Sequence, residues 1–234
     1  LPTQLILSPR CKDLRECHSF TIDDIGTNDR DDALSVDLQV PEMLEPGSSY
    51  HIGVHITNAG ALIPQGSTLD IEAFSRMSSL YMPERKIPML PHEFSSRLGS
   101  LDPDKDRIAL SLVIEINSSN EVSNWHVTES VVRSRAALTY EEADRALLDG
   151  NNHWYRSLAR LEQVAHNQRK RREEDGAINM DGPEMAISVT QSGNIDIRIL
   201  QRSSRARQLV SELMILCNSL LAELCRSAGL PAVY

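Results

Sequence analysis

The chain has 234 residues, of which 41% are hydrophobic and 24% charged, as is typical of a globular protein with a buried core. Its net charge of −9 excludes a general attraction for nucleic acid, so any contact with RNA or DNA must rely on a local groove. The sequence holds no apolar run near the roughly 18 residues that a membrane-spanning helix needs, and its 4 cysteines lack C-x-x-C spacing, which fits a reducing compartment.

Strands and helices are predicted to mix along the chain without a regular alternation. Strands are expected over residues 20–24, 33–40 and 50–57, followed by a helix over 69–80 and a proline-rich, irregular segment over 84–106. A hairpin over 107–116 and 122–135 precedes helices over 140–148 and 153–175, a second hairpin over 186–190 and 195–200, and a final helix over 204–227. This order predicts an α/β protein of the α+β type, with a mixed, largely antiparallel sheet packed with helices.

An acidic loop separates the first two predicted strands. It contains five aspartates within ten residues: Asp23, Asp24, Asp29, Asp31 and Asp32. Like charges at this spacing repel and raise one another's pKa. The segment is therefore either an ordinary solvated loop or a loop that a cation holds together. The apolar strands at both ends favour a cation, because a metal site needs a rigid scaffold.

The spacing of these carboxylates indicates which cation they suit. No frame through the loop fits a calcium-binding EF-hand, which also needs flanking helices rather than strands. Three or four close carboxylates suit Mg²⁺, with Mn²⁺ as the alternative, and such ions promote hydrolysis of a phosphodiester. The sequence contains no P-loop, G-x-G-x-x-G, G-x-S-x-G or H-E-x-x-H motif, so no competing chemistry has a motif to support it.

The loop resembles the signature of the RNB catalytic domain of the RNase II / RNase R family of 3′→5′ exoribonucleases. In that family a strand ending T-I-D precedes D-x-D-D-A, which here are residues 21–23 and 29–33. Other segments similar to the family are KDLR (12–15), GVHIT (53–57), GSTLDIEAFSR (66–76), SSLYMPERKIPMLP (78–91), GSLDPDKDRIALS (99–111), RREEDGAINMDGPE (171–184) and VSELMILCN (210–218). The resemblance covers residues 10–234. It implies an approach segment or linker over 1–18 and, over 19–234, the N-terminal part of an RNB-like catalytic domain that is truncated at its C-terminus.

The resemblance also implies the metal ligands. Asp23, Asp29, Asp31 and Asp32 match the four acidic positions that hold magnesium, and Asp31 matches the position tied most closely to catalysis. Asp24 matches none of them and is expected to be a solvated neighbour.

Two further residues are implied to bind RNA. Tyr81 matches the aromatic that packs on the terminal nucleotide, and Met180 stands where many relatives carry an aromatic that clamps the 3′-terminal base. From position alone, Tyr81 is more simply interpreted as a core residue at the end of a helix. An aromatic that leaves a helix just before Pro83 is nevertheless well placed for base stacking.

The chain departs from the family's pattern in other places. Asn58 stands where the family usually has Asp, and the family's catalytic arginine lies beyond residue 234. The basic run over 169–172 either meets phosphates or is the solvated end of a helix.

The resemblance implies a Mg²⁺-dependent 3′→5′ exoribonuclease that hydrolyses single-stranded RNA to 5′-monophosphates. The parent protein is expected to be monomeric and cytoplasmic, or organellar in a eukaryote, with no membrane or DNA partner, and this chain to be an incomplete part of it. The alternative is an RNB-like RNA-binding module with weak or no catalysis, which Asn58 and Met180 keep open. Retention of all four key aspartates favours the enzyme.

Overall fold

A computed structural model describes residues 9–37, 45–83, 85–179, 184–190, 193–200 and 204–232. Met180 and the predicted strand positions 38–40 lie outside the described residues.

The described part of the chain is built on a seven-stranded mixed sheet. Its strands are β1 (Lys12–Asp13), β2 (Ser19–Asp23), β3 (Asp32–Val36), β4 (Ser49–Thr57), β7 (Asp106–Asn117), β8 (Val122–Arg133) and β9 (Ala136–Thr139), in the order β1-β8-β7-β4-β3-β2-β9. Two separate hairpins are formed by β5 (Leu80–Tyr81) with β6 (Lys86–Ile87), and by β10 (Glu184–Val189) with β11 (Ile195–Leu200). All pairings are antiparallel except those of the edge strands β1 and β9, which run parallel to their neighbours. This arrangement confirms the predicted fold class.

Five α-helices and one short π-helix complete the described structure: α1 (Ala59–Leu62), α2 (Thr68–Arg76), the π-helix Phe94–Leu98, α3 (Tyr140–Leu148), α4 (Tyr155–Glu174) and α5 (Arg205–Ser227). Hydroxyl side chains start α2, α3 and α5, whereas α4 begins without a side-chain cap. Ser67 accepts a hydrogen bond from the amide of Asp70, and Thr139 forms a reciprocal capping box with Glu142.

Helices α3, α4 and α5 cover one face of the sheet. The apolar side chains of β2, β3, β4 and β7 on that face form a continuous core with the helices, in which Phe20, Tyr50, Leu158 and Leu213 are fully buried. By length and composition alone α5 is apolar enough to cross a membrane, and 33% of its most apolar 18-residue stretch is buried inside the described structure. Its residues Leu209, Leu213 and Leu216 belong to the core.

The opposite face of the sheet carries a buried polar network centred on His55. Its Nδ1 lies 2.7 Å from Oγ of Ser111, its Nε2 lies 2.9 Å from Oγ of Ser35, and Ser111 bonds onward to Ser130 at 2.6 Å. Burial lowers the pKa of His55 to about 4, so the ring is neutral. The neighbouring Gly53 is required by this packing, because a Cβ there would lie 2.4 Å from Oγ of Ser35.

The structure corrects several predicted boundaries. The sheet begins at Lys12, inside the segment 1–18 that was expected to be a linker, because β1 pairs with β8 through Ser130 and Val131. The helix predicted over 69–80 ends at Arg76, where Met77 takes a left-handed conformation (φ 61°) and closes it.

Candidate active site

The acidic loop is held by backbone contacts to two other segments. It joins the end of β2, at Asp23, to the start of β3, at Asp32. The amide of Thr57 on β4 donates to the carbonyl of Asp31 at 2.9 Å, and the amide of Leu101 donates to the carbonyl of Arg30 at 2.9 Å. The loop is therefore fixed on the rigid sheet, as the sequence predicts.

Three of the loop's carboxyl groups have raised pKa values. Burial is the main cause for Asp23, Asp31 and Asp32, and it raises the pKa of Asp32 to about 6. Mutual repulsion adds to burial, because Asp32 lies in the field of Asp23 and Asp31, while Asp31 lies in the fields of Asp29 and Asp23. The four predicted metal-site carboxylates thus share one electrostatic environment.

Arg30, inside the loop, compensates these charges only in part. Its guanidinium Nη1 donates to Oδ1 of Asp102 at 3.0 Å, whereas its Nε lies 3.8 Å from Oδ2 of Asp23, too far for a hydrogen bond. Among the described residues, Oδ2 of Asp23 and Nε of Arg30 are buried without a hydrogen-bond partner. Asp102 is also bonded to the hydroxyl of Ser100, so the guanidinium of Arg30 is shared between this anchored carboxylate and the more distant Asp23.

Asp29 is paired with Lys86 on β6, 57 positions further along the chain. The ammonium of Lys86 also lies 4.8 Å from the ring centroid of Tyr81, its partner across the β5–β6 hairpin. Partial burial lowers the pKa of Lys86, but its hydrogen bonds with Asp29 and Tyr81 outweigh burial and leave that pKa raised. A cation therefore already neutralises one of the four carboxylates.

Tyr81 lies on a strand and not at the end of a helix. Its side chain is 73% exposed beside the acidic loop, so the interpretation as a core residue is wrong. An exposed aromatic ring next to a carboxylate cluster is available for stacking on a base.

Asp24 is exposed, as expected of a solvated neighbour, and it also has a charged partner. It forms an ion pair with Arg207 of α5, whose guanidinium stacks 4.1 Å from the ring centroid of Tyr140. Burial raises the pKa of Tyr140 to about 12, and among the nearby charges Arg207 lowers that pKa while Asp32, Asp24 and Asp23 raise it. Tyr140 and Arg207 therefore adjoin the acidic loop, although no motif marked them.

The sequence offered little signal for Lys86, Arg207 or Tyr140. The two cations meet their aspartates from 57 and 183 positions away, and such contacts leave no local pattern. The side chain of Asn58 accepts a hydrogen bond from the amide of Ala61 and starts α1. The sequence carried a signal for this role, because Asn is a common residue at helix N-termini.

Each of the four residues of the basic run over 169–172 forms an ion pair. Arg169 and Lys170 pair with Glu173 and Glu174 one helical turn away, Arg171 pairs with Glu121, and Arg172 forms two bonds with Glu212, at 3.0 and 2.6 Å. This favours the interpretation of the run as a charged helix end over phosphate contact.

The acidic loop fits a divalent cation in its chemistry, although its side chains do not form a ready-made cage. Across the described ranges, no group of three or more His, Cys, Asp or Glu side chains is arranged so that it could hold a metal ion. The donors are hard carboxylate oxygens, Oδ2 of Asp23 is buried without a partner, and the ammonium of Lys86 stands in for a cation at Asp29. The assignment of Asp23, Asp29, Asp31 and Asp32 as metal ligands stays a prediction.

The family of the chain follows from comparison with known proteins. The RNB domain model matches residues 11–234, so the chain belongs to the RNB-domain family, as the resemblance implied. Ribonuclease R of Thermotoga maritima is 33% identical over 229 residues, which are 95% of this chain and 31% of that protein. The chain thus spans about a third of the length of this relative.

Solved structures share the fold. Mycoplasma genitalium RNase R in complex with ribose-methylated single-stranded RNA superposes with a TM-score of 0.84 at 21% identity, over 95% of this chain and 34% of that one. Yeast Ssd1, described as a pseudonuclease, superposes with a TM-score of 0.74 at 23% identity, over 96% of this chain and 28% of that one. The same fold therefore occurs in a nuclease and in a pseudonuclease.

Proposed function

We propose that this chain is the part of a 3′→5′ exoribonuclease's catalytic domain that contains the acidic loop. The enzyme hydrolyses single-stranded RNA to 5′-monophosphates with Mg²⁺ or Mn²⁺. One observation carries the proposal above the others. Three carboxyl groups of the acidic loop have pKa values that burial, and after it the charge of neighbouring aspartates, raises, and Lys86 connects this loop to an exposed tyrosine in a chain that belongs to the RNB-domain family. Proteins keep such an unfavourable cluster chiefly where it has a function.

The residues that would hold the metal are Asp23, Asp29, Asp31 and Asp32. When bound there, the ion would polarise the phosphate and activate the attacking water. Asp31 is the candidate catalytic residue among them. The backbone hydrogen bond from Thr57 to the carbonyl of Asp31 restrains this residue, and the Arg30–Asp102 ion pair restrains its neighbour.

Tyr81 would bind the last base of the strand. Its ring is exposed on the β5–β6 hairpin, and stacking on a base does not depend on which base it is. Aromatic side chains stack chiefly on the unpaired bases of single strands, which supports single-stranded RNA as the substrate. Met180 remains a predicted second contact.

The test is degradation of 5′-labelled single-stranded RNA by the intact protein in Mg²⁺. We expect Asp31→Asn to lower the rate at least about a hundredfold, because it removes a negative charge that a metal-dependent reaction needs. Asp104→Asn is the matched control: Asp104 is exposed, and its left-handed φ of 57° suits Asn. Internal cutting, or an unchanged rate in Asp31→Asn, would refute the proposal.

A second candidate is an RNA-binding module without catalysis, which the likeness to the pseudonuclease Ssd1 favours. The loss of a family aspartate at Asn58 is weaker support, because Asn58 has a structural role as the cap of α1. Titration with Mg²⁺ separates the two candidates. The enzyme is expected to gain thermal stability with Mg²⁺ and to lose RNA turnover in a chelator, whereas the binding module would retain RNA affinity and respond to neither.

A further inference from the structure

A cleft of about 250 Å³ lies directly beside Asp29, on the side of the acidic loop that faces β6. Three segments line it: the acidic loop, the end of β6 and the turn into the π-helix. The lining residues are Gly26, Asn28, Asp29, Lys86, Pro88, His92, Ser95 and Ser96. One water occupies roughly 30 Å³ of liquid, so the cleft has room for a phosphate group with part of its sugar.

Two side chains in the lining can donate a hydrogen bond to a ligand. Lys86 contributes an ammonium and Asn28 an amide, whereas the hydroxyls of Ser95 and Ser96 donate to the backbone carbonyl of His92, at 3.4 and 2.6 Å. Asp29 is the one carboxylate among the lining residues, and Lys86 neutralises it. When another cation pairs with Asp29, Lys86 leaves the cleft with a net positive charge, which suits an anion.

His92 is held in place within this lining. Oγ of Ser96 lies 3.1 Å from its Nδ1 and donates to its backbone carbonyl at 2.6 Å. The orientation of the imidazole is therefore set by the π-helix, and the ring can offer its other nitrogen to a ligand.

We infer that this cleft is a phosphate subsite, in which Lys86 is the principal cation for a phosphate of the RNA strand or of the released nucleotide. The inference rests on the proposed function for the identity of the ligand. Lys86 pairs with Asp29 while that carboxylate lacks another cation. When Asp29 binds a divalent cation, the ammonium is released from that pair and is free to pair with a phosphate in the cleft.

This exchange of partners couples the two ligands. A divalent cation at Asp29 strengthens phosphate binding at Lys86, and by reciprocity phosphate strengthens the binding of the cation. Removal of the ammonium has opposite effects on the two. Phosphate loses its cation and binds more weakly, whereas the divalent cation loses a competitor for Asp29 and binds more tightly.

The experiment is calorimetric titration of the intact protein with Mn²⁺, with inorganic phosphate and with adenosine 5′-monophosphate. In Lys86→Gln we expect phosphate and the nucleotide to bind about tenfold more weakly in the presence of Mn²⁺, and Mn²⁺ alone to bind several-fold more tightly. Lys170→Gln is the matched control, because Lys170 is an exposed lysine on α4 that pairs with Glu174. It should change none of these affinities. Lys86→Arg retains the charge and should restore most of the phosphate affinity.

The outcomes separate a phosphate subsite from a structural lysine. Equal phosphate binding in Lys86→Gln and Lys170→Gln would overturn the inference, and so would a loss of affinity for both Mn²⁺ and phosphate, which indicates misfolding of the site. A 2′-O-methylated dinucleotide carries a phosphodiester like that of the strand, whereas adenosine 5′-monophosphate resembles the product. The ligand whose affinity falls in Lys86→Gln is the one that occupies the cleft. These titrations involve no catalysis, so their failure is distinguishable from an absence of RNA degradation.

Discussion

Two polar clusters lie on neighbouring strands of the same sheet, and they are built in opposite ways. In the His55 network, both ring nitrogens and the hydroxyls of Ser35 and Ser111 are paired, and the ring is neutral. In the acidic loop, Oδ2 of Asp23 is buried without a hydrogen bond, and the carboxyl groups repel one another. The first cluster is complete within the chain, whereas the second leaves a buried acceptor unpaired.

The difference indicates how a structural polar cluster is distinguished from a functional one. Burial alone does not separate them, because it shifts the pKa values in both. What separates the two clusters is whether every buried polar atom has a hydrogen-bond partner. A network in which all atoms are paired specifies packing, and one in which some are unpaired can still bind a ligand. Stability and pH measurements can test this contrast directly.

The largest expected effect comes from breaking the complete cluster at Gly53. A Cβ at this position would lie 2.4 Å from Oγ of Ser35 and 2.7 Å from Nε2 of His55. We expect Gly53→Ala to lower the free energy of unfolding by about 3 kcal/mol, as overpacking of a core does, measured by urea denaturation. In Gly150→Ala, where a Cβ would meet no atom within 4 Å, the change should stay within about 0.5 kcal/mol. Equal effects in the two variants would show that the network is loosely packed.

The second expected effect is the acid sensitivity of the His55 network. The pKa of His55 falls from an ordinary 6.5 to about 4 because its charged form is buried. As the pH falls, His55 is therefore protonated in the unfolded chain before it is protonated in the folded protein. The stability that this group contributes is fully present above about pH 6.5 and is lost as the pH falls towards 4. We expect a loss of about 2 kcal/mol between pH 7 and pH 4.5, measured by urea denaturation at each pH.

A comparison of variants isolates this contribution. His55→Gln should remove that part of the pH dependence, although it lowers stability at every pH. His126→Gln, which replaces an exposed histidine, should retain the wild-type slope. The same slope in all three proteins would assign the acid sensitivity to other groups.

The smallest expected effect has the opposite sign and belongs to the incomplete cluster. The pKa of Asp32 rises from 3.8 to about 6, so the folded state binds its proton more tightly than the unfolded chain does. The stability from this group is present below about pH 3.8 and is lost as the pH rises through 6. In the presence of a chelator, the free energy of unfolding of the wild-type protein should fall by about 1 kcal/mol between pH 5 and pH 7, measured by urea denaturation. This fall should be absent in Asp32→Asn.

Addition of Mg²⁺ tests whether the missing partner is a cation. It should stabilise the wild-type protein more at pH 7 than at pH 5, because protons compete for the same carboxylates. The Mg²⁺ effect should be reduced in Asp32→Asn, measured as the shift in unfolding temperature. A Mg²⁺ effect that is the same at both pH values would contradict the view that the loop is completed by a cation.

Sequence reasoning succeeded where a pattern is local. The alternation of Ile52, Val54 and Ile56 predicted β4, and the leucine spacing of the last segment predicted α5. The crowded aspartates predicted that the loop between β2 and β3 is the unusual feature of the chain, because their repulsion is visible from spacing alone.

It failed where a contact is long-range or an element is short. The two-residue strands Leu80–Tyr81 and Lys86–Ile87 are too short to show a period, so Tyr81 was assigned to the end of a helix. The pairing of Asp24 with Arg207 spans 183 positions and depends on how α5 packs on the sheet. A charge beside a carboxylate cluster is thus visible only once the fold has assembled it.

The β5–β6 hairpin, which carries Tyr81 and Lys86, consists of two residue pairs and stands apart from the seven-stranded sheet. Isolated two-stranded ribbons of this size are marginally stable in water, so we expect this one to open at a lower cost in free energy than the seven-stranded sheet. An exonuclease that removes one nucleotide at a time must let its strand advance after every cut. A stacking residue on such a hairpin can release one base and accept the next while the carboxylates stay fixed on the sheet. In the proposed enzyme, a short hairpin outside the main sheet would thus govern translocation.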